Sequence, residues 1–175
     1  MESEIGNLET LALGFLSDVP NVLNYRSVAT LSPEASGSSG ASALVKRLSP
    51  AALAYLGDAV YEMYVRTLYL APPKRLQDYH KQVVSHVRAE SQAQHLQSLQ
   101  PYLTDAELEV VRRGRNATPK KPKRLDAETY QQATSLETLV GYLYITDPER
   151  LLYLLTQIKF DLLPKSADES TCSDS

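Results

Sequence analysis

The sequence predicts an all-α fold, and three observations carry that prediction. Apolar residues recur every three or four positions through segments 49–70, 75–100, 105–113, 125–145 and 149–163. Prolines punctuate these segments where helices start or stop: Pro50, Pro72 with Pro73, Pro101, Pro148 and Pro164. Nowhere do apolar and polar residues alternate over a strand's length, and there is neither a glycine-rich phosphate loop nor an internal repeat.

Segment 49–70, SPAALAYLGDAVYEMYVRTLYL, is the most apolar. Ser49 can cap the first free N–H groups, and proline wastes no donor at the first helical position. Leu53, Leu56, Val60 and Met63 recur at helical spacing, while Ala54, Tyr55, Tyr61 and Tyr64 fill most of the remaining circumference. A helix apolar nearly all round is expected at the centre of a fold. The carboxylate of Asp58 interrupts it, at a cost of several kcal/mol unless a cation or hydrogen-bond donors compensate. Either Asp58 is such a compensated group, or it lies at the helix surface.

Ala71-Pro72-Pro73 ends that helix, because proline disfavours helical geometry in the residue before it. A single second helix is expected from Arg75 to Gln100, with Leu76, Val83, Val87, Leu96 and Leu99 on its apolar stripe. Its polar face carries His80, Lys81, His86, Arg88, Gln92 and His95, read as facing solvent or a polyanion; the histidines lack a shared face for a metal. Thr104 followed by Glu107 is a capping-box pattern, and the short helix it opens is expected to end at Gly114. Residues 112–124, RRGRNATPKKPKR, then hold seven cations and no acid. They read as a loop that contacts phosphates, or else as a solvated linker. From Asp126 to Ile145 a further apolar helix embeds Glu137, with Gly141 one turn on to admit another helix closely. Asp147-Pro148 ends it and caps a last helix over 149–163.

The formal net charge of −3 is unevenly spread. Residues 1–45 hold five acids and one base, and 162–175 three acids and one base, which leaves 46–161 at +3. A basic core of this kind suits a polyanionic partner. Residues 32–43, SPEASGSSGASA, have a linker's composition, so 1–45 are expected to be an acidic appendage, 46–163 the folded unit and 164–175 a disordered tail. The lone cysteine, Cys172, excludes a disulfide framework. No apolar run approaches the roughly 20 residues that span a bilayer, and the acidic N-terminus is unlike a signal or transit peptide. A soluble, cytoplasmic chain is expected.

Two apolar helices that each present one carboxylate near a glycine are what a divalent-metal site in a helical bundle needs. Leu56-Gly57-Asp58-Ala59-Val60 resembles the first motif of the ribonuclease III family, and Ser135 to Tyr144, SLETLVGYLY, its second. The likeness tightens toward the compact Mini-ribonuclease III branch through Ala54 to Glu62, through Val111 to Ala117, and through Tyr130 before Ala133-Thr134. It spans residues 46–163.

This resemblance implies a ribonuclease III endonuclease-domain-like helical bundle, a homodimer, that cuts double-stranded RNA and leaves 5′-phosphate and 3′-hydroxyl ends. It implies that Asp58 and Glu137 are catalytic and hold Mg²⁺, and that maturation of large-subunit (23S) ribosomal RNA precursors is the role. Full-length ribonuclease III has two further acids per site. Ala54 and Thr134 stand at those positions here, which leaves open a rival class: a non-catalytic RNA-binding or assembly module. Glu62, four residues after Asp58, is either a third ligand or an i,i+4 partner of Arg66. The cations expected along the RNA are Arg112, Arg113, Arg115, Lys120, Lys121, Lys123 and Arg124, with Asn116, His80, Lys81 and Arg88.

Overall fold

The computed structural model describes residues 38–70, 73–117 and 126–160, with side chains from Ala41 onward. Among them are seven α-helices and no strand: α1 (Ser38–Arg47), α2 (Pro50–Leu68), α3 (Leu76–Val87), α4 (Ala89–Leu99), α5 (Asp105–Asn116), α6 (Ala127–Thr146) and α7 (Pro148–Gln157). A 3₁₀ turn, Gln100–Tyr102, joins α4 to α5.

The hub is α6, against which α1, α2, α4, α5 and α7 all pack. From Ala133 to Ile145 every residue of α6 is buried except Glu137 and Tyr142, which are half-buried. The expectation that 49–70 is buried all round is corrected. Leu53, Gly57, Val60, Tyr61, Tyr64 and Leu68 of α2 face the core, but Ala51, Ala52, Tyr55, Asp58 and Ala59 lie on an open face. Composition hid this division, because that face is itself mostly alanine and tyrosine.

Local signals set the helix ends. Ser49 Oγ accepts from the Ala52 N–H at 3.1 Å, and Pro50 occupies the first helical position of α2. Asp126 caps α6 through the N–H groups of Glu128 and Thr129. Asp147 caps α7 through Arg150. Thr104 and Glu107 form the expected capping box.

Three expectations fail for identifiable reasons. The single helix over 75–100 is two, parted at Arg88, which is extended (φ −69°, ψ 153°). Ser91 Oγ donates to the Ser85 carbonyl at 2.6 Å while Arg88 Nε donates to Ser91 Oγ, so side chains satisfy groups the break exposes. Gly114 does not end α5, which continues to Asn116; a Cβ there would sit 2.8 Å from Thr138 Cβ, so the glycine serves close packing on α6. The folded unit also begins before Lys46. Ser38 to Ala43, read as linker, belong to α1, whose Val45 is buried in the core.

Candidate active site

Where α2 crosses α6, two glycines remove the side-chain layer that usually separates helices. A Cβ on Gly57 would fall on the Glu137 carbonyl oxygen and 2.7 Å from the Gly141 nitrogen. A Cβ on Gly141 would strike the Leu53 carbonyl. Backbone therefore rests on backbone, as expected of Gly141. The crossing brings Asp58, next to Gly57, toward Glu137 of α6.

Both carboxyl groups have their pKa raised above the ordinary value, and the Asp58 charge acts on Glu137. Burial pushes Glu137 up to about 7, with the Asp58 charge adding to the rise. Asp58 is also raised, first by burial and then by the charge of Glu62. For each, the Gln92 amide works in the opposite direction. No cation offsets the pair, since neither group forms a salt bridge among the described residues.

Gln92 is the site residue that sequence reasoning missed. It was placed on the polar face of 75–100, yet it is 2% exposed. The break at Arg88 explains the error. Once α4 starts at Ala89, Gln92, Leu96 and Leu99 stand at i, i+4 and i+7, and all three are buried. That spacing was the available signal.

Glu62 turns to Arg66, its Oε1 accepting from Nη2 at 2.6 Å. Among the described residues no three His, Cys, Asp or Glu side chains converge on one point, so the site is a two-carboxylate site. Buried Ala54 and Thr134 add no charge to it. Two hard oxygen donors, poorly compensated and beside an amide, fit Mg²⁺, which keeps much of its water and takes only one or two protein carboxylates.

Among the described residues, the expected RNA-facing side chains are spread over α3, the α3–α4 break and the end of α5. Arg112, Arg113, Arg115 and Asn116 are exposed along the last turns of α5. Arg112 is held by Glu109 through two hydrogen bonds of 2.7 and 2.6 Å, and Arg115 lies 4.0 Å from Glu128. Lys120, Lys121, Lys123 and Arg124 lie outside the described residues. His80 and Lys81 instead line a cavity of about 690 Å³ with Leu70, Leu76 and Val83, to which neither site carboxylate contributes. Arg88 is exposed at the α3–α4 break.

His86 and His95, also read as part of a polar face, pack inward. Their rings stack at 5.9 Å against Phe160. Tyr61 Oη lies 2.6 Å from His95 Nδ1, and Tyr69 Oη 2.6 Å from His86 Nε2. Burial, aided by the His86 charge, pushes His95 down to about 4, while burial with the neighbouring Tyr64 and Tyr69 raises the Tyr61 phenol. His95 thus favours its neutral form and shares one hydrogen bond between Nδ1 and the Tyr61 hydroxyl.

The profile of the Ribonuclease III domain matches residues 51–148. The chain is 57% identical over 123 residues to the Mini-ribonuclease 3 of a Synechocystis species, covering 70% of this chain and 84% of that one. It is 59% identical over 116 residues to that of a Synechococcus species, covering 66% and 84%. Protein FN1578 of Fusobacterium nucleatum, solved by X-ray crystallography, superimposes with a TM-score of 0.59 at 26% identity, over 63% of this chain and 91% of that one. With more than half its length matched by that domain, and with relatives this similar, the chain belongs to the ribonuclease III family of endoribonucleases.

Proposed function

We propose that this chain is a Mg²⁺-dependent endoribonuclease that hydrolyses double-stranded RNA to 5′-phosphate and 3′-hydroxyl ends at the α2–α6 crossing, with Asp58 and Glu137 as its catalytic residues. The observation that carries the reading is the glycine crossing. It sets Asp58 beside the crossing on α2 and Glu137 within it on α6, with no salt bridge to balance either among the described residues. Such a pair is unfavourable for an apo fold and suited to a hard divalent ion.

Asp58 and Glu137 would hold Mg²⁺ between them, and the rigidity of the crossing would fix where it sits. When bound, the ion supplies positive charge to the phosphoryl oxygens and lowers the pKa of attacking water. Asp58 stands on the open face of α2, at the edge of the apolar surface assigned below to a second copy, and Glu137 is half-buried on α6. The exposed end of α5, with Arg113, Arg115 and Asn116, supplies positive charge toward an RNA backbone, which fixes register without reading bases. Arg88 and Lys81 add exposed positive charge at the α3–α4 break and on α3, where His80 stands beside Lys81.

The working form is a homodimer. Tyr55 is 86% exposed in the middle of α2, flanked by exposed Ala51, Ala52 and Ala59. An apolar surface of this kind next to a site is suited to a second copy of the chain. The catalytic unit is the helical body from α1 to Phe160, and the sequence resemblance supports a cytoplasmic role in maturing 23S ribosomal RNA precursors. No described helix is long and apolar enough to cross a membrane.

The test is cleavage of a long duplex RNA with and without Mg²⁺, with the ends mapped. Asp58→Asn and Glu137→Gln should each lower cleavage at least 100-fold while leaving duplex binding within about threefold, because an amide keeps the shape but loses the charge a hard cation needs. Binding without cutting by the parent chain would instead support a non-catalytic RNA-binding module.

A further inference from the structure

Gln92 has no part in the carboxylate pair's assigned chemistry, yet it is the polar side chain set most deeply against it. It is 2% exposed, and its Nε2 is buried without a hydrogen-bond partner. The amide nevertheless lies close enough to Asp58 and Glu137 to favour the charged form of each. Its approach is thus too long or too oblique for a full hydrogen bond. An amide left like this is costly, and a leucine of similar volume would fill the same space without the penalty. Once ionised, as a bound cation requires, the two carboxylates offer acceptors only, so only the nitrogen of the amide can donate to them.

We infer that Gln92 is a positioning residue of the ribonuclease site: from α4, its Nε2 donates to the carboxylate oxygens turned away from the cation, and so fixes which oxygens of Asp58 and Glu137 face it. This rests on the two-carboxylate reading given above. Three helices then define the site. α2 and α6 each supply a ligand, and α4 supplies the hydrogen bond that orients them. Groups that hold metal ligands in this way commonly change metal affinity or activity 10- to 100-fold when lost.

The test replaces Gln92 by Leu and, separately, by Met, which fill the space without a donor, and uses Mn²⁺ as the probe. Binding of Mn²⁺ to the RNA-free protein is followed by the loss of the free-ion electron paramagnetic resonance signal. Both variants should raise the Mn²⁺ Kd 10- to 100-fold and lower kcat on duplex RNA by a similar factor. KM for the duplex should stay within about twofold, and melting in chelator should be unchanged or higher. A Kd and kcat within twofold of the parent in both variants would overturn the proposal, as would weakened Mn²⁺ binding that appears only together with a lower melting temperature. Asp58→Asn and Glu137→Gln run alongside separate the two readings. If they abolish Mn²⁺ binding and the Gln92 variants do not, the positioning role alone falls. If the parent binds no Mn²⁺, both fall.

Discussion

Glu107 and Glu137 are the same side chain on two helices packed against each other, and their surroundings drive them in opposite directions. Glu107, 5% exposed, accepts from Arg150 Nε at 2.8 Å and Nη2 at 2.9 Å and from the Thr104 N–H at 2.7 Å. Arg150 also reaches the Tyr102 carbonyl at 2.6 Å. Hydrogen bonding by Arg150 brings the Glu107 carboxyl down to about 2 against the cost of burial. Glu137 has a second carboxylate where Glu107 has a guanidinium, and burial lifts it to about 7. Withdrawal from water is common to both, so the partner decides the outcome. One glutamate clamps α5 to α7. The other is left without a compensating cation among the described residues.

The comparison is broken most violently at the crossing. Gly57→Ala puts a methyl group on the Glu137 carbonyl, and neither backbone can yield without parting α2 from α6. A loss of about 4 kcal/mol is expected from urea unfolding, more than ordinary overpacking of a core. Whatever folds should show a Glu137 carboxyl nearer its ordinary range by NMR titration.

Removing the partner from the first glutamate should make it resemble the second. Arg150→Met leaves Glu107 buried and uncompensated, and about 3 kcal/mol should be lost at pH 7. The parent's Glu107 has its pKa lowered in the folded state. Its contribution is therefore complete above the ordinary carboxylate range, near pH 4.5, and fades as the pH falls toward 2. The Arg150→Met deficit should shrink over that same window in acid-denaturation curves.

The smallest effect has the opposite sign. Glu137 has its pKa raised on folding, so the folded state holds a proton that the unfolded chain has lost. Stability in chelator should consequently fall as the pH rises from about 4.5 through about 7. Glu137→Gln abolishes that slope, and at pH 8 in chelator it should be about 2 kcal/mol more stable than the parent by thermal melting. A variant less stable than the parent would mean that Glu137 is paired as Glu107 is.

Much of this contrast could be read from residue order. The capping box at Thr104 and Glu107, the close-approach role of Gly141 and the two helices bearing Asp58 and Glu137 all follow from local spacing, and local spacing is what a sequence displays. Arg150 was invisible as a partner of Glu107 because the pair is joined across 43 positions. Gln92 was misplaced because one extended residue, Arg88, resets the helical phase, and no proline or glycine announces it. The open face of α2 went unnoticed for a different reason: alanine and tyrosine look alike to periodicity whether they meet a core or a surface. Local rules give elements, while the sides those elements turn to one another depend on long-range packing.

The crossing of α2 on α6 also bears on motion. With no side chains between Gly57 and Gly141, the helices cannot slide by trading rotamers, and separation there means opening the hub of the bundle. The amide protons around both glycines should therefore be among the last in the chain to exchange with solvent, released only with global unfolding. The carboxylates sit beside that tightly packed crossing, while Arg113 and Arg115 are exposed on the last turns of α5. Slow exchange at the crossing would keep the proposed site's geometry fixed while the long, exposed arginine side chains of α5 follow the course of a nucleic-acid backbone.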